Sequence, residues 1–208
     1  MNARMQIVAR FGCLSGLSLL LWLTAGCVSF EPPHSGAIAA NDRPQAHLIT
    51  GVPFIPQEEY YCGPASLASV LQFYGVMIDQ DAIAAQVYLA NLRGTLTLDM
   101  LTFPGRVGLQ ARSYRGSLDN LKSHLTAGQP LILFLNLGSH LLPRYHYLVA
   151  IGFDEREQAV IAHSGTTASK RMPYRELLKA WEKTDYWALF IQPPSVAPSK
   201  EGAHNGVD

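Results

Sequence analysis

Two regimes of apolar spacing divide the chain. From Pro64 onward Leu67, Leu71 and Tyr74 recur at three- and four-residue intervals with Ala65, Ala68 and Ser69 between them, which predicts a helix that opens at Cys62 and is stopped by Gly75. A second helix is expected over residues 79–87, capped by Asp79 and buried through Ile83 and Val87. A third is expected over 97–107, with Thr97 as cap, Met100, Leu101 and Val107 as its apolar stripe, Pro104 kinking or shortening it and Gly108 as its end. Residues 110–114 form a short strand candidate. Residues 117–127 form a helix with Ser117 as cap, Leu118, Leu121 and Leu125 inward and Gly128 as stop. Beyond it the helical period gives way to continuous apolar runs at 130–137, 145–153 and 159–162, the signature of buried strands. The polar segment 154–158 joins the last two as a hairpin, residues 174–183 return to a helical pattern, and 186–191 alternate as a final strand. Helices first and antiparallel strands afterwards give an α+β layout, a helical lobe on a sheet lobe with a cleft between.

The two ends of the chain fall outside this pattern. Arg4 and Arg10 precede an apolar run over 11–25, shorter than the ~20 residues of a membrane span, and this resembles an export signal. It finishes in Leu23-Thr24-Ala25-Gly26-Cys27, which is similar to the bacterial lipoprotein signal, with cleavage before Cys27 and lipidation of its thiol. The expected organisation is a signal over 1–26, a lipidated N-terminus and tether over 27–48 containing Pro32-Pro33 and Pro44, one domain over 49–192, and a loose Pro- and Ser-rich tail over 193–208. No Asp follows Cys27, where Val28 and Ser29 stand, so the anchor is expected at the outer membrane rather than the inner one.

Charge narrows the function classes. The chain carries 16 basic and 16 acidic side chains with no basic run, which excludes a nucleic-acid-tracking surface. No phosphate-binding glycine loop and no histidine spacing suited to a metal are present, so neither cofactor nor metal is expected. Of the three cysteines, Cys13 lies in the signal and Cys27 takes the lipid, so Cys62 is the one thiol left in the mature chain. With no partner for a disulfide in an exported protein, catalysis is a good reason for it to be there. At a helix N-terminus the dipole and unpaired N–H groups favour thiolate over thiol.

A nucleophilic thiol needs a base, and seven histidines compete for that role. His34, His47 and His204 fall in the tether, its margin or the tail, His124 on the polar side of a helix and His140 in a loop. His146 starts an apolar strand, where packing alone gives a polar ring no reason to be. Gln57, five residues before Cys62, can supply a side-chain N–H to a developing oxyanion together with the Cys62 amide. A hairpin centred near Arg156 sets His146 opposite about Thr166, leaving His163, Ser164 and Thr166 as local candidates to orient the imidazole, with Asn136 on the neighbouring strand as another.

Gln57, the run Tyr61-Cys62-Gly63-Pro64-Ala65-Ser66-Leu67 and the run His146-Tyr147-Leu148-Val149-Ala150-Ile151-Gly152-Phe153-Asp154 resemble the motifs of the papain-like cysteine peptidases that process bacteriocins at double-glycine sites. Asn136-Leu137-Gly138 and Trp181-Glu182-Lys183-Thr184-Asp185-Tyr186-Trp187 are similar to a stand-alone lipoprotein branch of them. The resemblance implies a papain-like fold, with Cys62 as nucleophile, His146 as base and Gln57 in the oxyanion hole. It also implies a peptide or protein substrate and an exporter or secretion-system partner encoded elsewhere. The wider family carries an Asp-Pro pair on the strand after the histidine, where this chain has Ser164-Gly165. The expected activity is peptide or amide hydrolysis through a thioester on Cys62. The alternatives are a thiol transferase or cell-wall amidase on the same fold, and a peptide-binding adaptor or chaperone that has lost its acidic orienter.

Overall fold

The computed structural model describes residues 44–57 and 60–194. The expected export signal, the lipidated Cys27 and nearly all of the tether and tail lie outside the described residues. Among the described residues are five helices and nine strands: β1 (Ala46–Leu48), α1 (Cys62–Phe73), α2 (Gln80–Val87), β2 (Tyr88–Leu89), β3 (Gly94–Thr95), α3 (Thr97–Arg106), β4 (Gln110–Arg115), α4 (Leu118–Thr126), β5 (Leu131–Asn136), β6 (Tyr145–Asp154), β7 (Ala159–Ser164), β8 (Thr167–Pro173), α5 (Tyr174–Glu182) and β9 (Trp187–Gln192). The chain is mixed α+β, with helices packed on a seven-stranded antiparallel sheet ordered β4-β9-β5-β6-β7-β8. The seventh strand, β1, pairs with β6 at Ala46↔Asp154, His47↔Phe153 and Leu48↔Gly152, end to end with β5 along the same edge. Its residues fall within the stretch expected to be tether.

Continuous apolar runs at the sheet centre reflect burial from both sides. Leu131, Ile132, Leu133 and Leu135 of β5 and residues Tyr147 to Phe153 of β6 are all buried. The helix α1 is buried over Gly63 to Leu71 and runs against β6. Its small residues permit the approach, and the Ser69 hydroxyl donates to the Pro53 carbonyl at 2.6 Å. Gly75, at φ +86°, turns the chain off the helix so that the Val76 N–H reaches the Leu71 carbonyl at 2.9 Å. The Asp79 and Ser117 side chains cap α2 and α4 as expected, by accepting from the Ala82 and Asn120 amides.

Local detail departs from expectation at the cap of α3 and at β8. Thr97 is the first residue of α3 rather than its cap, a position that Leu96 fills with no side-chain bond. Pro104, expected to kink or shorten α3, is carried inside it, and the helix ends two residues later at Arg106, one residue short of the expected end, with the Leu109 N–H closing back on the Pro104 carbonyl at 3.0 Å. The apolar pattern does not mark strand β8, because Thr167 to Arg171 are exposed and, Ala168 apart, polar, with Met172 its one buried side chain. It is a charged edge strand, the kind whose sequence hides its conformation.

Candidate active site

The end of the sheet that carries His146 is shaped by an early departure of β7. That strand pairs with β6 from Asp154↔Ala159 to Val149↔His163 and goes no further, turning instead into β8 with Ser164↔Thr167. The β6 edge at His146 and Tyr147 is therefore free of a strand on that side. The N-terminus of α1 reaches it there and brings the Cys62 sulfur to the backbone amide of Tyr147; that amide, with those of Gly63 and of Cys62 itself, favours the thiolate. Tyr61, the residue before α1, offers no side-chain cap, so these amides stay open to the thiol.

The expected low thiol pKa is not what this geometry gives. Burial is the largest influence on Cys62 and raises its pKa above the ordinary thiol value, outweighing the three amides that favour the thiolate. His146 is driven the other way, from 6.5 down to about 4, first by burial and then by the cations of Lys170 and Arg144. The resting site thus holds a neutral thiol and a neutral imidazole rather than an ion pair. Arg144, two residues before His146, could have been found from strand periodicity; Lys170 lies on the unforeseen β8 and left no such signal.

His146 Nε2 lies 3.0 Å from the Ser164 hydroxyl, and Ser164 is buried. Because that nitrogen is engaged, Nδ1 is the one left for the thiol. The other candidate orienters are committed elsewhere. His163 Nε2 donates to the Val52 carbonyl at 3.1 Å while its Nδ1 accepts the Ser169 N–H at 3.2 Å, so both ring nitrogens are used. Asn136 is buried, but its Oδ1 accepts the N–H groups of Gly138 and Arg144 at 3.0 and 2.9 Å, and its Nδ2 donates to the Ser139 carbonyl. It holds the β5–β6 loop rather than the histidine. Thr166 is an exposed turn residue.

Gln57 is buried against the turn that follows Ser164. Its backbone N–H donates to the Gly165 carbonyl at 3.1 Å, and its side-chain Oε1 accepts the Gly165 N–H at 3.1 Å. On the far side of the site the β2–β3 hairpin is pinned in place. The Tyr147 hydroxyl donates to the Thr95 carbonyl at 3.1 Å, and a side chain at Gly63 would meet Thr95 at 2.8 Å. Only glycine fits beside the thiol. Among the described residues no group of three or more His, Cys, Asp or Glu is placed to hold a metal ion.

Helices packed on this antiparallel sheet, with a cysteine at a helix start and a histidine at the neighbouring strand start, define the class: a papain-like α+β peptidase fold. The profile of the Peptidase_C39-like family matches residues 49–189, more than half of the chain, and the protein belongs to that family. Among solved structures, a C39-like peptidase from Bacillus anthracis superposes with a TM-score of 0.58 at 18% identity over 72% of this chain and 98% of that one. The double glycine motif protease of an AMS/PCAT transporter, solved with its leader peptide, gives 0.55 at 23% identity over 71% and 98%. Xylellain, a cysteine protease from Xylella fastidiosa, gives 0.52 at 14% over 78% and 90%. At these identities the likeness is one of fold. No curated protein sequence matches the chain at a significant level.

Proposed function

We propose that the protein is a thiol peptidase that hydrolyses a peptide bond through a thioester on Cys62. The reading is carried by one observation: the Cys62 sulfur sits at the start of α1 against the amide of the residue following His146. Membership of a peptidase family supports it. As the sulfur attacks the substrate carbonyl, its proton passes to His146 Nδ1 and the carbonyl becomes an oxyanion, facing the Cys62 amide and the Gln57 side chain. Collapse expels the amine, which takes the proton from His146. Water, deprotonated by the same imidazole, then releases the acid and the thiol. Ser164 holds the ring by accepting from Nε2 in place of a carboxylate.

The signal-like residues 1–27 support an address in the cell envelope, anchored through Cys27 at the outer membrane, with exported peptides or proteins as substrates. A solved neighbour is a transporter's protease with its leader peptide bound. It supports peptide as the substrate class and a secretion system as partner.

A second reading is favoured by the neutral pair itself. A thiol raised and an imidazole lowered, with no carboxylate behind it, also suit a domain that binds peptides without cutting them. The two are separated by exposing wild type and Cys62→Ala to a peptidyl chloromethyl ketone and to a mixed peptide pool. The peptidase reading expects stoichiometric labelling and new cleavage products from wild type alone. Products that persist in Cys62→Ala, or wild type that binds peptides without labelling or cutting, would sink it.

A further inference from the structure

The two bonds between Gln57 and Gly165 bear on more than local stability. A carboxamide has an acceptor at one end and two donors at the other, and which end faces which way is decided by its neighbours. The Gly165 N–H, 3.1 Å from the buried Gln57 side chain, requires the oxygen there. In the flipped amide two donors would face one another and the oxygen would lose its partner, which is costly in a buried position. The donor end is thereby turned away from the turn. Ser164, the residue before Gly165, is the one in contact with His146 Nε2.

We propose that Gly165 is a positioning residue for the oxyanion donor: its N–H sets the Gln57 carboxamide so that Nε2 is offered to the acyl oxygen of the substrate. The proposal rests on the peptidase reading above. On this account the single turn Ser164-Gly165 governs both proton transfer and oxyanion binding, through adjacent residues acting on His146 and Gln57. Gly165 holds φ at +60°, while a Cβ built on it meets nothing within 4 Å. Backbone angle, not space, therefore limits what can replace it. Asparagine tolerates that region and keeps the N–H. Proline has no N–H and fixes φ near about −65°.

The test compares two reactions of Cys62 in the full chain. A peptide ending in glycinal adds the thiol across its C=O: the S–C bond forms, the π pair moves to oxygen, and the thiol proton passes through His146. Iodoacetamide alkylates the same sulfur by displacing iodide and forms no oxyanion. Gly165→Pro is expected to weaken glycinal binding by at least about tenfold with alkylation within about twofold of wild type, while Gly165→Asn keeps the affinity. Equal glycinal affinity in Gly165→Pro and wild type overturns the proposal, as does a parallel loss of alkylation. Should Gly165→Pro fail to fold, hydrogen exchange at the Gly165 amide decides. Slower exchange in wild type than in Gln57→Met supports the contact, and equal exchange overturns it. A wild type that forms no glycinal adduct overturns the peptidase reading itself, and this inference with it.

Discussion

At the scale of the residue, the site differs from a thiolate–imidazolium pair because nothing near His146 rewards a positive charge. Lys170 and Arg144 oppose it, burial opposes it, and Ser164 at 3.0 Å brings a dipole where a carboxylate would bring a charge. Ser164→Asp should raise the His146 pKa and increase the rate of Cys62 acylation by about tenfold or more, because an anion at that contact stabilises the imidazolium formed during attack. Unchanged acylation in Ser164→Asp would show that the hydroxyl contact does not act on the base. The same balance fixes the acid limb of activity. His146 works as a base only when neutral, so kcat/KM should hold as pH falls through 6.5 and drop to half near about 4. An acid limb near 6.5 in a pH series would mean that His146 is far more hydrated than its burial indicates.

Among the elements, the β5–β6 loop shows how much a short motif can specify. Asn136, Gly138, Lys183 and Thr184 belong to two stretches far apart in sequence, and the fold brings them together. Lys183 Nζ donates to the Gly138 carbonyl at 2.5 Å, Thr184 Oγ1 donates to the Phe134 carbonyl at 2.5 Å, and Asn136 ties down the amides of Gly138 and Arg144. A Cβ on Gly138 would sit 2.1 Å from the Leu142 carbonyl, so the loop closes only over glycine. The result is a braced loop two residues from His146, with Leu141 91% exposed at its tip. Asn136→Ala removes the shared acceptor of two part-buried hydrogen bonds and should cost about 2 kcal/mol. For a domain of this size that lowers the melting temperature by roughly 4–8 °C, and calorimetry of the two proteins measures it. The sequence marked Asn136 as an orienter because it ends the strand beside His146, and the register does pair β5 with β6 there. What it lacked was the loop geometry, which turns the amide back onto its own chain. His163 failed as an orienter for a related reason. Its partners, Val52 and Ser169, come from a segment without regular structure and from the unforeseen strand β8.

Over the whole molecule, the legible part was the part set by local pattern. The five helices, the central strands and the 154–158 hairpin follow from period and turn chemistry, and the expected hairpin register holds at Val149↔His163 but not at His146, because β7 leaves β6 before Thr166 can stand opposite it. The edge strands β1 and β8 were not legible, since an edge needs no apolar face to pair. Nor was the sign of the thiol shift. A helix N-terminus is visible in sequence, whereas the burial that outweighs it arises from β6 and α1 packing together, which only the fold supplies. Cys62, His146 and Gln57 converge on one end of the sheet from three separate segments, and the central claim is that they act there as nucleophile, base and oxyanion donor. The most direct test is the rate at which an activated peptide ester acylates the full chain, followed by intact mass with the adduct mapped by digestion. The account predicts a thioester at Cys62 in wild type, none in Cys62→Ala, and acylation slowed by about 100-fold in His146→Gln. Equal rates in wild type and His146→Gln, or an adduct mapped to another residue, would contradict it.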